Sequence, residues 1–140
     1  MKYLGIDYGT KRIGLALSDE SATLAFPHSV LPNAMGVTAA IEDLIRSEKI
    51  EGIVMGESVN TDGSENPVQV QAKNFASALE RRFEVPVYFE KEFFTSVEAH
   101  GRQGKASLHA RKQKFEKPDE LDARAAALIL QRYLDKQKKS

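Results

Sequence analysis

Two short apolar runs flank a tight turn at the start of this chain, and that arrangement limits what it can fold into. Tyr3-Leu4-Gly5-Ile6 and Ile13-Gly14-Leu15-Ala16-Leu17 are joined through Tyr8-Gly9-Thr10-Lys11. This reads as an antiparallel hairpin. A lone hairpin is at best marginal in water, so the remaining chain must extend and cover it. A third apolar stretch, Leu24 to Leu31, contains Pro27. Proline cannot donate to a ladder, which predicts an edge strand. Val37, Ile41, Leu44 and Ile45 predict a helix over 37–47. Gly52-Ile53-Val54-Met55-Gly56 is a continuous apolar run, the mark of a parallel strand covered on both faces.

The polar stretch 57–66, with the turn signal Asp62-Gly63, predicts a loop. Pro67 is well placed to open a second helix, along which Val68, Ala72, Phe75, Leu79 and Phe83 keep one apolar face. Pro86 breaks the chain before a short strand at 87–89. Thr95-Ser96-Val97-Glu98 has capping-box spacing and predicts a helix of about two turns. Residues 105–117 are basic and poor in apolar side chains, and are expected to form a mobile loop. Asp119 is expected to cap a last helix running to about Lys136. The order β-β-β-α-β-α-β-α-α predicts one α/β domain over 1–140: a mixed five-stranded sheet, a three-stranded antiparallel meander plus parallel strands, flanked by helices. The right-handed crossover rule fixes the hand of the later units. The end of the first strand then lies at the sheet centre, near the carboxyl ends of the parallel strands, where open α/β sheets bind ligands.

Asp7 closes the first apolar run. A carboxylate there costs several kcal/mol unless something compensates it. The plainer role is a turn cap; the chemical one is a cation ligand. Glu92 lies just beyond the fifth strand, and Asp122 falls in the first turn of the last helix. Asp122, Ala126, Ile129 and Tyr133 share one helical face, so Asp122 is a charge on a face that should meet a core. The plainer roles are an exposed acid for Glu92 and macrodipole stabilisation for Asp122. Three converging carboxylates raise one another's pKa, and hard divalent ions such as Mg²⁺ or Mn²⁺ relieve that repulsion. Two such ions about 4 Å apart would clamp the attacking and leaving oxygens of a phosphodiester.

Charge supports an anionic partner. The formal net charge of the 140 residues is zero. Residues 1–99 nevertheless hold 9 Lys and Arg against 15 Asp and Glu, while 100–140 hold 11 against 5. The densest cationic stretch runs from Arg102 to Lys117 and includes Lys105, Arg111, Lys112 and Lys114. It is either a solvated loop or a phosphate-binding one. The chain has no cysteine, which excludes disulfides, thiolate metal sites and a cysteine nucleophile and fits a cytoplasmic protein. Charged residues interrupt the N-terminus where a signal peptide would be apolar. No apolar run approaches the roughly 20 residues of a membrane helix.

The segment Gly5-Ile6-Asp7-Tyr8-Gly9-Thr10-Lys11-Arg12-Ile13-Gly14-Leu15-Ala16 resembles the opening of the YqgF proteins, also called RuvX. The resemblance continues through Val54-Met55-Gly56 with Asn60 and Asp62-Gly63, Glu92 with Thr95-Ser96-Val97-Glu98-Ala99, and Leu121-Asp122-Ala123 with Ala125-Ala126, Ile129-Leu130-Gln131 and Tyr133-Leu134. These are small bacterial nucleases of RNase H-like fold, related to Holliday junction resolvases and linked to maturation of the 5′ end of 16S ribosomal RNA. The resemblance implies a metal-dependent endonuclease with catalytic acids at Asp7, Glu92 and Asp122, and with Lys11 and Arg12 approaching phosphates. The implied partner is precursor rRNA or branched DNA, and the implied assembly a monomer or, for a symmetric junction, a homodimer.

The chain departs from the family pattern in two places. Lys91-Glu92-Phe93 stands where the family usually has Asp-Glu-Arg, and Gly56-Glu57-Ser58 where it usually has Gly-Leu-Pro. Glu57 is thus an extra acid at the end of the central strand, able to share or take over the role of Glu92. The rival readings are a Holliday junction resolvase and a nucleic-acid-binding module whose catalytic site has decayed. The opening also resembles the first phosphate loop of actin-like ATPases and sugar kinases, but those enzymes close two such domains over a nucleotide.

Overall fold

The computed structural model describes residues 1–59, 67–93 and 118–138. Strands β1 (Tyr3–Tyr8), β2 (Arg12–Ser18) and β3 (Ala25–Pro32) precede helix α1 (Val37–Ser47). Strand β4 (Gly52–Val59), helix α2 (Pro67–Phe83), strand β5 (Val87–Phe93) and helix α3 (Pro118–Lys138) follow. The strands form one sheet in the order β3-β2-β1-β4-β5. β1 pairs antiparallel with β2 and parallel with β4, and β5 runs parallel to β4. This is the mixed five-stranded sheet expected, with β1 at its centre and Pro27 on the edge strand.

Strand alternation divides the sheet into two faces. Leu4, Ile6, Ile13, Leu15, Ile53 and Met55 point to one side, where they pack with Ile41 and Ile45 of α1 and with Ala72, Ala76 and Leu79 of α2. Tyr3, Ala16 and Val54 point to the other, against Ala126, Ile129, Leu130 and Leu134 of α3. Both faces of β1 and β4 are therefore covered, which explains why their sequences are almost continuously apolar.

α3 lies close to the sheet because glycine occurs where it crosses. A Cβ built on Gly5 would stand 2.9 Å from the Leu130 Cβ and 3.0 Å from the Ala126 carbonyl oxygen. A Cβ on Gly14 would run into the carbonyl oxygen of Asp122. The far end of α3 is held by side chains. Gln131 accepts from the Ala25 amide and donates to the Thr23 carbonyl, at 2.9 and 3.0 Å. Lys136 Nζ sits 2.6 Å from Glu90 Oε2, and Tyr133 packs against both Tyr3 and Tyr88.

Three boundaries differ from the sequence reading. β4 and β5 run on past Gly56 and Phe89 into residues read as loop, because their ladder continues in register from Ile53↔Val87 to Val59↔Phe93. α3 opens at Pro118, where the missing N–H suits a first helical position, rather than after a cap at Asp119. The short helix expected from Thr95, the Asp62-Gly63 turn and the basic segment 102–117 lie outside the described residues. No helix among the described residues is long and apolar enough to cross a membrane.

Candidate active site

Asp7 stands in register opposite Gly14 on β2. Alternation along β1 sends Tyr3 and Gly5 toward α3 and Leu4, Ile6 and Tyr8 toward the other helices, so Asp7 belongs to the α3 face. The pairing of β1 with β4 ends at Ile6↔Met55, one residue earlier. Asp7 thus lies where the central parallel pair opens, and it is partly exposed.

Asp122 reaches the same place from above. Its carbonyl oxygen rests against Gly14, the residue facing Asp7. Its carboxylate is taken up by Arg12, whose Nε donates to Oδ2 at 2.8 Å. Arg12, Gly14 and Ala16 alternate onto one face of β2, which is why an arginine at the start of that strand meets the N-terminal part of α3. The two residues are 110 positions apart. The resemblance implies that Arg12 approaches phosphates; in the folded protein its guanidinium meets the Asp122 carboxylate.

The paired strands β4 and β5 separate the other two acids. Val54 faces α3, whereas Ile53 and Met55 face α1 and α2. With no irregularity in the β4–β5 register, Gly56 and Ser58 continue the α3 face, and Glu57 continues the opposite one. Glu57 pairs directly with Lys91, so both lie on the side away from Asp7. Position 92 pairs with Ser58, and together with Tyr88 and Glu90 it alternates onto the α3 face. The side chain of Glu92 lies outside the described residues. So do Arg111, Lys112 and Lys114. Lys11 is exposed in the turn after β1.

One acid on this face was passed over by the sequence reading. Glu90 pairs with Gly56 and is only 5% exposed. Its carboxylate is held by Lys136. The clue available was its two-residue spacing from Tyr88 and Glu92 along the strand.

Asp7, Asp122 and position 92 thus share one face at one end of the sheet. Their donors are hard oxygens, suited to Mg²⁺ or Mn²⁺, and Asp122 already holds a cation in the guanidinium of Arg12. Among the described residues, no three His, Cys, Asp or Glu side chains gather as a metal cluster. Asp7 and Asp122 lie on this face, and the register of β5 puts position 92 on the same one.

An Asp at the end of the central strand, with an Asp-bearing helix crossing the same face, is set on a mixed sheet whose fold solved resolvases share. RuvC of Thermus thermophilus, solved in complex with a Holliday junction substrate, has the same fold, with a TM-score of 0.58 over 99% of this chain and 96% of that one, at 17% identity. The fowlpox virus Holliday junction resolvase superposes with a TM-score of 0.53 over 98% and 99% of the two chains, at 10% identity. The family described as "RuvX: Holliday junction resolvase" matches residues 1–136, and the chain belongs to it. A protein of Maridesulfovibrio salexigens named "Putative pre-16S rRNA nuclease" is 37% identical over 136 residues, 96% of this chain and 98% of its own length. A protein of the same name from Nitratidesulfovibrio vulgaris is 37% identical over 137 residues, 96% and 94% of the two chains.

Proposed function

We propose that this chain is a divalent-metal-dependent endonuclease that hydrolyses phosphodiester bonds in structured nucleic acid, with the 5′ end of precursor 16S rRNA as its substrate. The observation that carries the reading is the approach of Asp7 and the N-terminal part of α3, at Asp122, from the two sides of Gly14. Two carboxylates from separate elements share the face where the central strands diverge. The family and the names of its curated members point to the same chemistry.

Asp7, Asp122 and Glu92 are the residues that would hold Mg²⁺ or Mn²⁺. Glu57 is the weaker candidate, because its register sends it to the other face. A bound ion of this type activates water and neutralises charge developing on phosphate oxygens. The chain's own part is to bind and orient. β1 fixes Asp7, the contact of α3 with Gly14 fixes Asp122, and Lys11 offers an exposed cation beside them. Arg111, Lys112 and Lys114 would supply phosphate affinity that the acidic site cannot. No protein nucleophile is required, and the products are a 5′-phosphate and a 3′-hydroxyl.

The test is incubation of the pure protein with precursor 16S rRNA and with a four-way DNA junction, with Mg²⁺ or Mn²⁺ and beside D7N. Metal-dependent cleavage of the RNA at its 5′ end by wild type alone is the expected result. Cleavage confined to the junction would make the protein a branched-DNA resolvase. Binding without cleavage of either would leave a nucleic-acid-binding module.

A further inference from the structure

The Arg12–Asp122 pair sits inside the proposed site rather than beside it. Nε of Arg12 lies 2.8 Å from Oδ2 of Asp122, with the two side chains 46% and 32% exposed. Among the described residues, Arg12 makes this contact through Nε alone. The carboxylate concerned is one of those assigned above to metal binding. A guanidinium is always charged, so it competes with any other cation for the Asp122 carboxylate.

We propose that Arg12 is a built-in counter-ion for Asp122, a positioning residue that keeps this one carboxylate paired without metal and that an incoming divalent ion must displace. The proposal rests on the metal-dependent reading of the site. Three facts support it. Arg12 opens β2 two residues from Gly14, on the face that α3 covers, so the backbone aims it at Asp122. The contact is single-pointed rather than a bidentate fork, and bidentate geometry is the stronger form. The pair is also solvent-exposed, the setting in which ion pairs contribute least. Such a pair can hold a carboxylate in place and still yield to a divalent cation.

Removing the competitor should therefore tighten metal binding. Mn²⁺ uptake by the full chain, without nucleic acid, would be followed by calorimetry and by the EPR signal of free Mn²⁺. R12Q should bind Mn²⁺ about two- to fivefold more tightly than wild type, the range set by an exposed ion pair. R12K, which restores the charge, should return toward wild-type affinity. K11Q removes a neighbouring cation that pairs with no carboxylate among the described residues, and should change the affinity less than R12Q does. In a D122N background the R12Q gain should vanish, since a double-mutant cycle isolates the pair from the general field. An R12Q protein that is folded by circular dichroism and binds no more tightly than wild type would overturn the proposal. A gain that persists with D122N would do so too. If wild type itself takes up no Mn²⁺, the metal-dependent reading fails and this inference with it.

Discussion

Asp7 faces Gly14 across the β1–β2 ladder, and the absent side chain of Gly14 admits the helix that carries Asp122. A charge at the end of a buried strand is costly. Here it is placed where a second carboxylate can approach only because one residue lacks a Cβ. The two acids and the glycine therefore act as one unit, and each can be perturbed separately.

Gly14→Ala would put a methyl group where the Asp122 carbonyl oxygen lies. Forcing extra volume into such a contact destabilises by about 1–3 kcal/mol. We expect a lower urea midpoint at unchanged m-value. Nuclease activity should fall further than in an equally destabilised Ile41→Val protein, whose substitution lies in the opposite core. Equal activity losses in the two variants would show that the height of α3 over the sheet does not matter to the site.

Asp7→Asn is nearly isosteric and removes one charge from the cluster. Turnover should drop by about 100-fold or more, as expected when a metal ligand is lost, with the circular dichroism spectrum unchanged. Without metal, the variant loses both the carboxylate repulsion and the contact that Asp7 makes in the folded protein, and its Tm should stay close to that of wild type. A clear fall in metal-free Tm would mean that Asp7 is a net stabiliser in the resting protein.

The β4–β5 register puts position 92 and Glu57 on opposite faces. Glu92→Gln should abolish most cleavage, while Glu57→Gln, on the α1–α2 side, should leave the rate within about twofold of wild type, as surface substitutions away from a site usually do. Single-turnover rates at saturating Mg²⁺ decide this. A comparable loss in both would require the end of β4 to turn Glu57 back over the sheet edge.

Tyr133 provides a pH signature of α3 packing. Burial, followed by its neighbours Tyr3 and Tyr88, pushes its hydroxyl up to about 12. An unfolded tyrosine titrates near 10. The folded state therefore keeps a proton that the unfolded state releases, and this contribution is fully present below about pH 10 and is lost as pH rises toward 12. Urea melts of Tyr133→Phe and wild type should show a difference that is flat below about pH 10 and changes only above it.

The basic segment makes a separate claim. Replacing Arg111, Lys112 and Lys114 with Ala should weaken binding to all sequences alike. It should also flatten the slope of log K against log salt by roughly two to three units, with little change in turnover of bound substrate. An unaltered slope would place the nucleic acid elsewhere, along Lys11 and Arg12.

Much of this architecture is written locally. The hairpin follows from two apolar runs and the turn between them. Pro27 marks the edge strand, Pro67 opens α2, and the spacing of Val37, Ile41, Leu44 and Ile45 gives α1 with its observed bounds. The ends of β4 and β5 were not legible, because Glu57-Ser58 and Glu90-Lys91-Glu92 carry no apolar alternation. A ladder already running in register needs only backbone groups to continue. That extension decides which side of the sheet each acid belongs to, so the standing of Glu57 against Glu92 was hidden with it. The pairs Arg12–Asp122 and Glu90–Lys136 join distant parts of the chain, and no local pattern announces them. The convergence of Asp7 and Asp122 on one face was readable only because topology and a charge on an apolar helical face agreed.

At Gly14 the joint between helix and sheet is one of main chain against main chain. Such a joint has no adjustable part. Its thickness is set by peptide dimensions, which do not vary from one sequence to another, and no rotamer can lengthen or shorten it. The outer surface of α3, where Leu128 stands 66% exposed, is thereby released from any duty to the carboxylates and can drift in sequence. One position without a side chain acts as a fixed gauge, and the height of the Asp122 backbone over the sheet is inherited from the main chain itself.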